Sequence, residues 1–122
     1  VFVWCAAAAN TRPTVGILTQ KHGSGTRTYI AASYVKWVES AGARAVPLFY
    51  DAWSAAEMRK MLQAVNGVLL PGGGAEIAGT YWETLQNIFD FAIQANTMGV
   101  HYPIWGTCLG VCSRCSLSLG SF

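Results

Sequence analysis

One run of this sequence carries residue types arranged for covalent chemistry: Gly106-Thr-Cys-Leu-Gly110, a cysteine with glycine two positions before and two positions after it. The pattern is that of a nucleophile elbow with Cys in place of Ser. A nucleophile held in a sharp turn between a strand and a helix leaves no room for side chains two positions to either side, so both flanking positions fall to glycine. The turn lifts the Cys108 sulfur clear of the backbone, and a helix N-terminus behind it favours the thiolate. The N–H of Leu109, next in the chain, then faces the oxygen of an attacked carbonyl, and a second donor must come from a neighbouring strand's loop. Gly72-Gly-Gly74, with Gly73 at its centre, is placed to supply that donor. The chemistry implied is acyl transfer through a covalent cysteine intermediate. A tight turn around an inert thiol is the competing reading of the same five residues, because buried structural cysteines are common.

An elbow needs a strand before it and a helix after it, on a sheet that presents both. Thr14 to Leu18 is a short β-rich run after Pro13, and the polar, glycine-bearing stretch Gln20 to Thr28 reads as a loop. Tyr29 to Ala41 places Ile30, Tyr34, Val38 and Ala41 at helical spacing, and Gly42 follows where a helix end favours positive φ. Ala43 to Phe49 is a second strand, with Pro47 pointing to a strand end or a sheet edge. Ser54 and Glu57 have the capping-box spacing ahead of Met58, Met61, Leu62 and Val65, which predicts a helix over Ser54 to Val65. Gly67 to Pro71 is apolar throughout and too short for a helix, the mark of a central strand buried on both faces. Thr80 and Glu83 repeat the capping pattern before Leu85, Phe89 and Ala92, predicting a helix to Thr97 that Gly99 closes. Tyr102 to Trp105 is a fourth strand and runs straight into the elbow. The alternation of strands and helices predicts the α/β class, a three-layer parallel sheet with flanking helices.

Composition narrows the function classes. About half of the 122 residues are apolar and 11% are charged, the profile of a packed interior rather than of a disordered tail. Eight Lys and Arg are scattered against six Asp and Glu, without the basic stripe that tracks phosphates, so nucleic acid is not an expected partner. No stretch is long and apolar enough to cross a bilayer, and no membrane role is expected. Val1 to Ala9 is apolar and ends in small residues, like the end of a signal peptide, with a buried first strand as the alternative. Cys5 stands alone, whereas Cys108, Cys112 and Cys115 crowd the last fifteen residues, which is no disulfide framework. Their spacing also resembles the cysteine triad of a radical iron–sulfur cluster, but only seven residues follow Cys115, so neither a cluster nor zinc is expected.

Three segments together resemble the γ-glutamyl hydrolase family: Tyr29 to Pro47, Asn66 to Gly73 and Pro103 to Gly110, within a similarity running from Pro13 to Gly110. The resemblance implies a class I glutamine amidotransferase-like fold, of which this chain holds the N-terminal half. It implies hydrolysis of the γ-glutamyl bonds of folate poly-γ-glutamates, a small-molecule substrate, with no cofactor and no metal. On this resemblance Cys108 is the nucleophile, and Gly73 and Leu109 occupy the oxyanion-hole positions. It further implies a secreted or lysosomal or vacuolar location and raises a homodimer as a partner state. The family's catalytic His belongs to a Trp-His-Pro-Glu-like segment that is absent here, as is its acidic partner. His22 and His101 are the only histidines, match neither role and read as surface residues, so the chain by itself is expected to be inactive. Residues 111–122, rich in Ser, Cys and Gly, depart from the resemblance and are expected to be foreign to the fold. A glutamine amidotransferase domain sharing the elbow and a non-catalytic truncated product are the alternative readings.

Overall fold

A computed structural model describes residues 10–23 and 25–111. The apolar opening segment, the tail from residue 112 onward, and Cys5, Cys112 and Cys115 lie outside the described residues. The elements in chain order are β1 (Thr14–Leu18), β2 (Gln20–Lys21), β3 (Thr28–Tyr29), α1 (Ala32–Ser40), β4 (Arg44–Leu48), α2 (Ala55–Ala64), β5 (Gly67–Leu70), α3 (Gly79–Thr97) and β6 (Ile104–Gly106).

Four strands form one parallel sheet in the order β4-β1-β5-β6. This order explains the layering. The connection through α1 steps from β1 to β4 in one direction, whereas those through α2 and α3 step the opposite way, to β5 and then β6. Crossovers of one hand therefore place α1 on one face and α2 with α3 on the other. The packing agrees. Leu18, Leu48, Val68 and Leu70 face Met58 and Leu62 of α2 and Leu85 and Ile88 of α3. Ile17 and Leu69, the alternate positions, face Val38 of α1. Every residue of β5 is buried, as its unbroken apolar run requires of a central strand. Pro47 lies on β4 at the sheet edge, where a missing N–H costs no ladder bond.

The second helix is capped as its sequence predicts. Ser54 Oγ accepts from the Glu57 N–H at 3.3 Å and the Glu57 carboxylate accepts from the Ser54 N–H at 2.8 Å. Gly42 and Gly99 follow the ends of α1 and α3 with φ of +82°.

Three expectations are corrected. The stretch after β1 is not a plain loop, because Gln20 and Lys21 pair antiparallel with Tyr29 and Thr28. That pairing takes Tyr29 out of the first helix, which starts at Ala32 behind an N-cap, Ala31, that offers no side-chain bond. Thr80 is not a cap either. The chain turns into α3 at Gly79, whose φ is +52°, so Thr80 already lies within the first turn and the N-cap is Ala78.

Candidate active site

The sheet order brings the end of β5 beside the end of β6. Leu70 pairs with Gly106, and the ladder continues one rung further as the Thr107 N–H donates to the Leu70 carbonyl at 3.1 Å. At Cys108 the backbone then turns sharply. Its φ is +50°, and it is the one non-glycine residue with positive φ among the described residues. A side chain held in that region marks a backbone the surroundings over-determine, as nucleophile elbows do. Gly110 and Val111 donate their N–H groups to the Thr107 and Cys108 carbonyls, both at 2.9 Å, and residues 109–111 are helical.

Packing forces both elbow glycines. A Cβ on Gly106 would sit 2.7 Å from the carbonyl carbon and oxygen of Gly110. One on Gly110 would sit 2.9 Å from the carbonyl carbon and Cβ of Leu70, in the buried central strand. The elbow thus folds back on its own strand and on β5, and the Cys108 thiol is left exposed and unbridged.

The glycine loop after β5 lies against this elbow. A Cβ on Gly72 would come within 2.9 Å of the Cys108 Cβ and 3.0 Å of the Tyr34 Oη. The Gly72 N–H donates to Tyr34 Oη at 2.8 Å and to Thr107 Oγ1 at 3.1 Å, and these two hydroxyls are 2.9 Å apart. On the other side, Gln20 Nε2 donates to the Pro71 carbonyl at 3.0 Å. Gly73 comes next, exposed, with its Cα facing Gln20 so closely that an added Cβ would lie 2.8 Å from the amide carbon Cδ.

The location matters as much as the contacts. From β1 the chain crosses to β4 and from β5 to β6, in opposite directions, so the sheet's switch point lies between β1 and β5. Open α/β sheets bind ligands outside the carboxyl ends of their strands at that point. Gln20 extends from the end of β1 and the Gly72–Gly74 loop from the end of β5, so the loop lies at the switch point and the elbow, after β6, lies beside it at the same end of the sheet.

Neither histidine joins this group. His101 precedes β6 and so stands at the amino end of the sheet, away from Cys108. His22 lies in the β2–β3 hairpin, exposed, with its ring edge-on to Tyr29 at 5.2 Å. Among the described residues no hydrogen bond links either one to Cys108, and no cluster of His, Cys, Asp and Glu is arranged to hold a metal ion. Beneath the loop, Tyr81 is buried, and burial pushes its phenol above the ordinary range. The nearby Gln20 amide pulls the other way, and Tyr50 adds a smaller upward push. That amide stands beside the Tyr81 hydroxyl without completing a hydrogen bond, leaving the hydroxyl unpartnered.

Sequence reasoning placed Cys108, Leu109 and Gly73 at one end of the sheet but passed over Gln20, Tyr34 and Thr107. Tyr34 served only as one position of an apolar helical face. The available signal was its polar oxygen on a face otherwise apolar, and a glutamine directly after a buried strand.

The Peptidase C26 family model matches residues 13–113. The chain belongs to the Peptidase C26 family. Its resemblance to γ-glutamyl hydrolases extends over most of its length. Gamma-glutamyl hydrolase B of Dictyostelium discoideum is 42% identical over 120 residues, covering 93% of this chain and 34% of that protein. The gamma-glutamyl hydrolase of Mus musculus is 45% identical over 104 residues, covering 81% of this chain and 32% of that protein. The Glycine max enzyme of the same name is 46% identical over 109 residues, 83% of this chain and 31% of that protein. The chain thus spans about a third of the length of the curated relatives it matches. This Peptidase C26 chain has the parallel sheet and flanking helices of the class I glutamine amidotransferase-like fold, in part.

Proposed function

We propose that this chain carries the nucleophile side of a γ-glutamyl hydrolase site, acting on the γ-glutamyl bonds of folate poly-γ-glutamates. The observation that carries the reading is the close approach of Gly72, in the glycine loop, to an exposed Cys108 at positive φ. The names of the relatives supply the bond class. The Cys108 sulfur attacks the γ-carbonyl carbon, and the carbonyl oxygen takes up negative charge that the Gly73 and Leu109 N–H groups stabilise. As the tetrahedral intermediate collapses, the C–N bond breaks and the amine departs with a proton from a general acid. Water then hydrolyses the thioester, releasing the γ-carboxylate and restoring the thiol.

The proton shuttle is the missing part. His22 and His101 are the only histidines of the 122 residues and neither stands at the elbow. A polypeptide of these residues alone is therefore inactive in this reading, and a family-type His with its acidic partner completes the site. The reading includes a secreted, lysosomal or vacuolar setting and a homodimer, and it involves no cofactor and no nucleic acid. Among the described residues no helix is long and apolar enough to cross a membrane.

The test uses a chain completed with the downstream region of a curated relative. Cys108→Ala and Cys108→Ser should remove nearly all hydrolysis while substrate affinity stays within about threefold, because the covalent bond forms only on the path to the acyl-enzyme. The 122-residue polypeptide should show no turnover. Retained turnover in the cysteine variants, or affinity lost in step with activity, would sink the assignment of Cys108.

A further inference from the structure

The Pro71–Gly72 peptide is gripped at both edges by side chains that come from distant parts of the chain. Its carbonyl accepts from Gln20 Nε2 at 3.0 Å. Its N–H, pointing the opposite way in the same plane, is shared between Tyr34 Oη at 2.8 Å and Thr107 Oγ1 at 3.1 Å. A trans peptide is a rigid plate, so fixing both its C=O and its N–H fixes its orientation and aims the next stretch of backbone. The next residue is Gly73, whose own Cα rests on the Gln20 amide. A glycine-rich loop has no side chains of its own to hold it, and it gains definition only from such outside contacts.

Thr107 gives the grip a second role. It is the residue before the nucleophile, and its hydroxyl meets Tyr34 at 2.9 Å while accepting from Gly72. The loop and the elbow are therefore tied to the same tyrosine. Gln20 is 3% exposed, and a buried amide of this kind is retained where it has a bond to make.

We propose that Gln20 and Tyr34 are positioning residues that hold the Gly73 N–H at a set separation from the Leu109 N–H, and so shape the oxyanion hole of this site. The proposal rests on the hydrolase reading above. It places neither residue in contact with substrate, which predicts a loss confined to transition-state stabilisation.

Tyr34→Phe and Gln20→Met, made in the completed chain, separate this role from a general structural one. Each should lower kcat on a γ-glutamyl dipeptide of p-aminobenzoate about tenfold with KM within about twofold, since the donors are displaced rather than removed. Alkylation of Cys108 by iodoacetamide forms no oxyanion, and its rate should stay within about twofold. Backbone amide exchange at Gly72, whose N–H is bonded to Tyr34 and Thr107, should quicken several-fold when followed by NMR in the same variants. Unchanged kcat with unchanged exchange overturns the proposal. So does a parallel fall in kcat and alkylation, which would mean that the elbow itself is disturbed. A completed parent chain without any hydrolysis would defeat the hydrolase reading alone, and the exchange rates would still decide for or against the grip.

Discussion

Gly72→Ala adds a single methyl group where the glycine loop comes up against Cys108. Gly72 is not among the residues with positive φ, so alanine brings no backbone strain and the whole effect comes from contact. The new Cβ would lie 2.9 Å from the Cys108 Cβ, about 0.6 Å short of the ~3.5 Å at which two carbon atoms attract best. Neither atom is the end of a flexible side chain, so the loop and the elbow must part by roughly that amount. The Gly72 bonds to Tyr34 and Thr107, now 2.8 and 3.1 Å, would stretch to about 3.4 Å or beyond and cease to be hydrogen bonds. Overpacking of this kind costs about 1–3 kcal/mol, and each kcal/mol lowers the Tm of a domain this size by about 4–8 °C. Since a misplacement of ~1 Å at a reacting centre costs up to ~100-fold, a shift of this size predicts a loss of kcat of tenfold or more. Thermal unfolding followed by circular dichroism, together with steady-state turnover of the completed chain, measures both. An alanine variant with kcat within about threefold of the parent and an unchanged Tm would show that the loop and Cys108 are not in contact, and the geometric case for the site would fail.

Two further predictions concern stability. Ser54→Ala should destabilise the 122-residue chain by about 1 kcal/mol near neutral pH through loss of the α2 cap, as read by urea unfolding. The Glu57 carboxyl is held below its ordinary value of 4.5, first by the Ser54 hydroxyl and then by the Ser54 backbone N–H. A depressed carboxyl stabilises the fold above its unfolded value and loses that contribution as pH falls through the folded one. The gap between parent and Ser54→Ala should therefore narrow at about pH 3, and an equal gap at both pH values would contradict the coupling. Tyr81→Phe removes a buried hydroxyl with no partner among the described residues, so it should leave stability within about 0.5 kcal/mol of the parent or raise it. A loss of more than about 1.5 kcal/mol would mean that the hydroxyl is bonded after all.

The amino-acid sequence by itself determined what depends on neighbours along the chain. The apolar run Gly67–Leu70 could only be a buried strand, and Ser54 with Glu57 could only reward a helix starting between them. Glycine on either side of Cys108 announced the turn, because a Cβ at either position meets backbone. These are rules of periodicity, capping and steric room, and each is satisfied within a few residues. The start of α1 was misplaced because Tyr29 pairs with Gln20 across a hairpin, a contact no helical periodicity reports. The start of α3 was misplaced because a glycine, not the threonine after it, makes the entry turn. What only the tertiary structure decided is the strand order β4-β1-β5-β6 and everything that hangs on it. Gln20, Tyr34 and Thr107 meet the Pro71–Gly72 peptide because β5 lies between β1 and β6 with α1 packed across them, and these hydrogen-bonded pairs are 35 to 73 positions apart in the chain. Nothing in the local pattern around Tyr34 or Gln20 separates a core side chain from one that holds a glycine loop by its backbone. The difference lies in which backbone the fold brings to its polar atom.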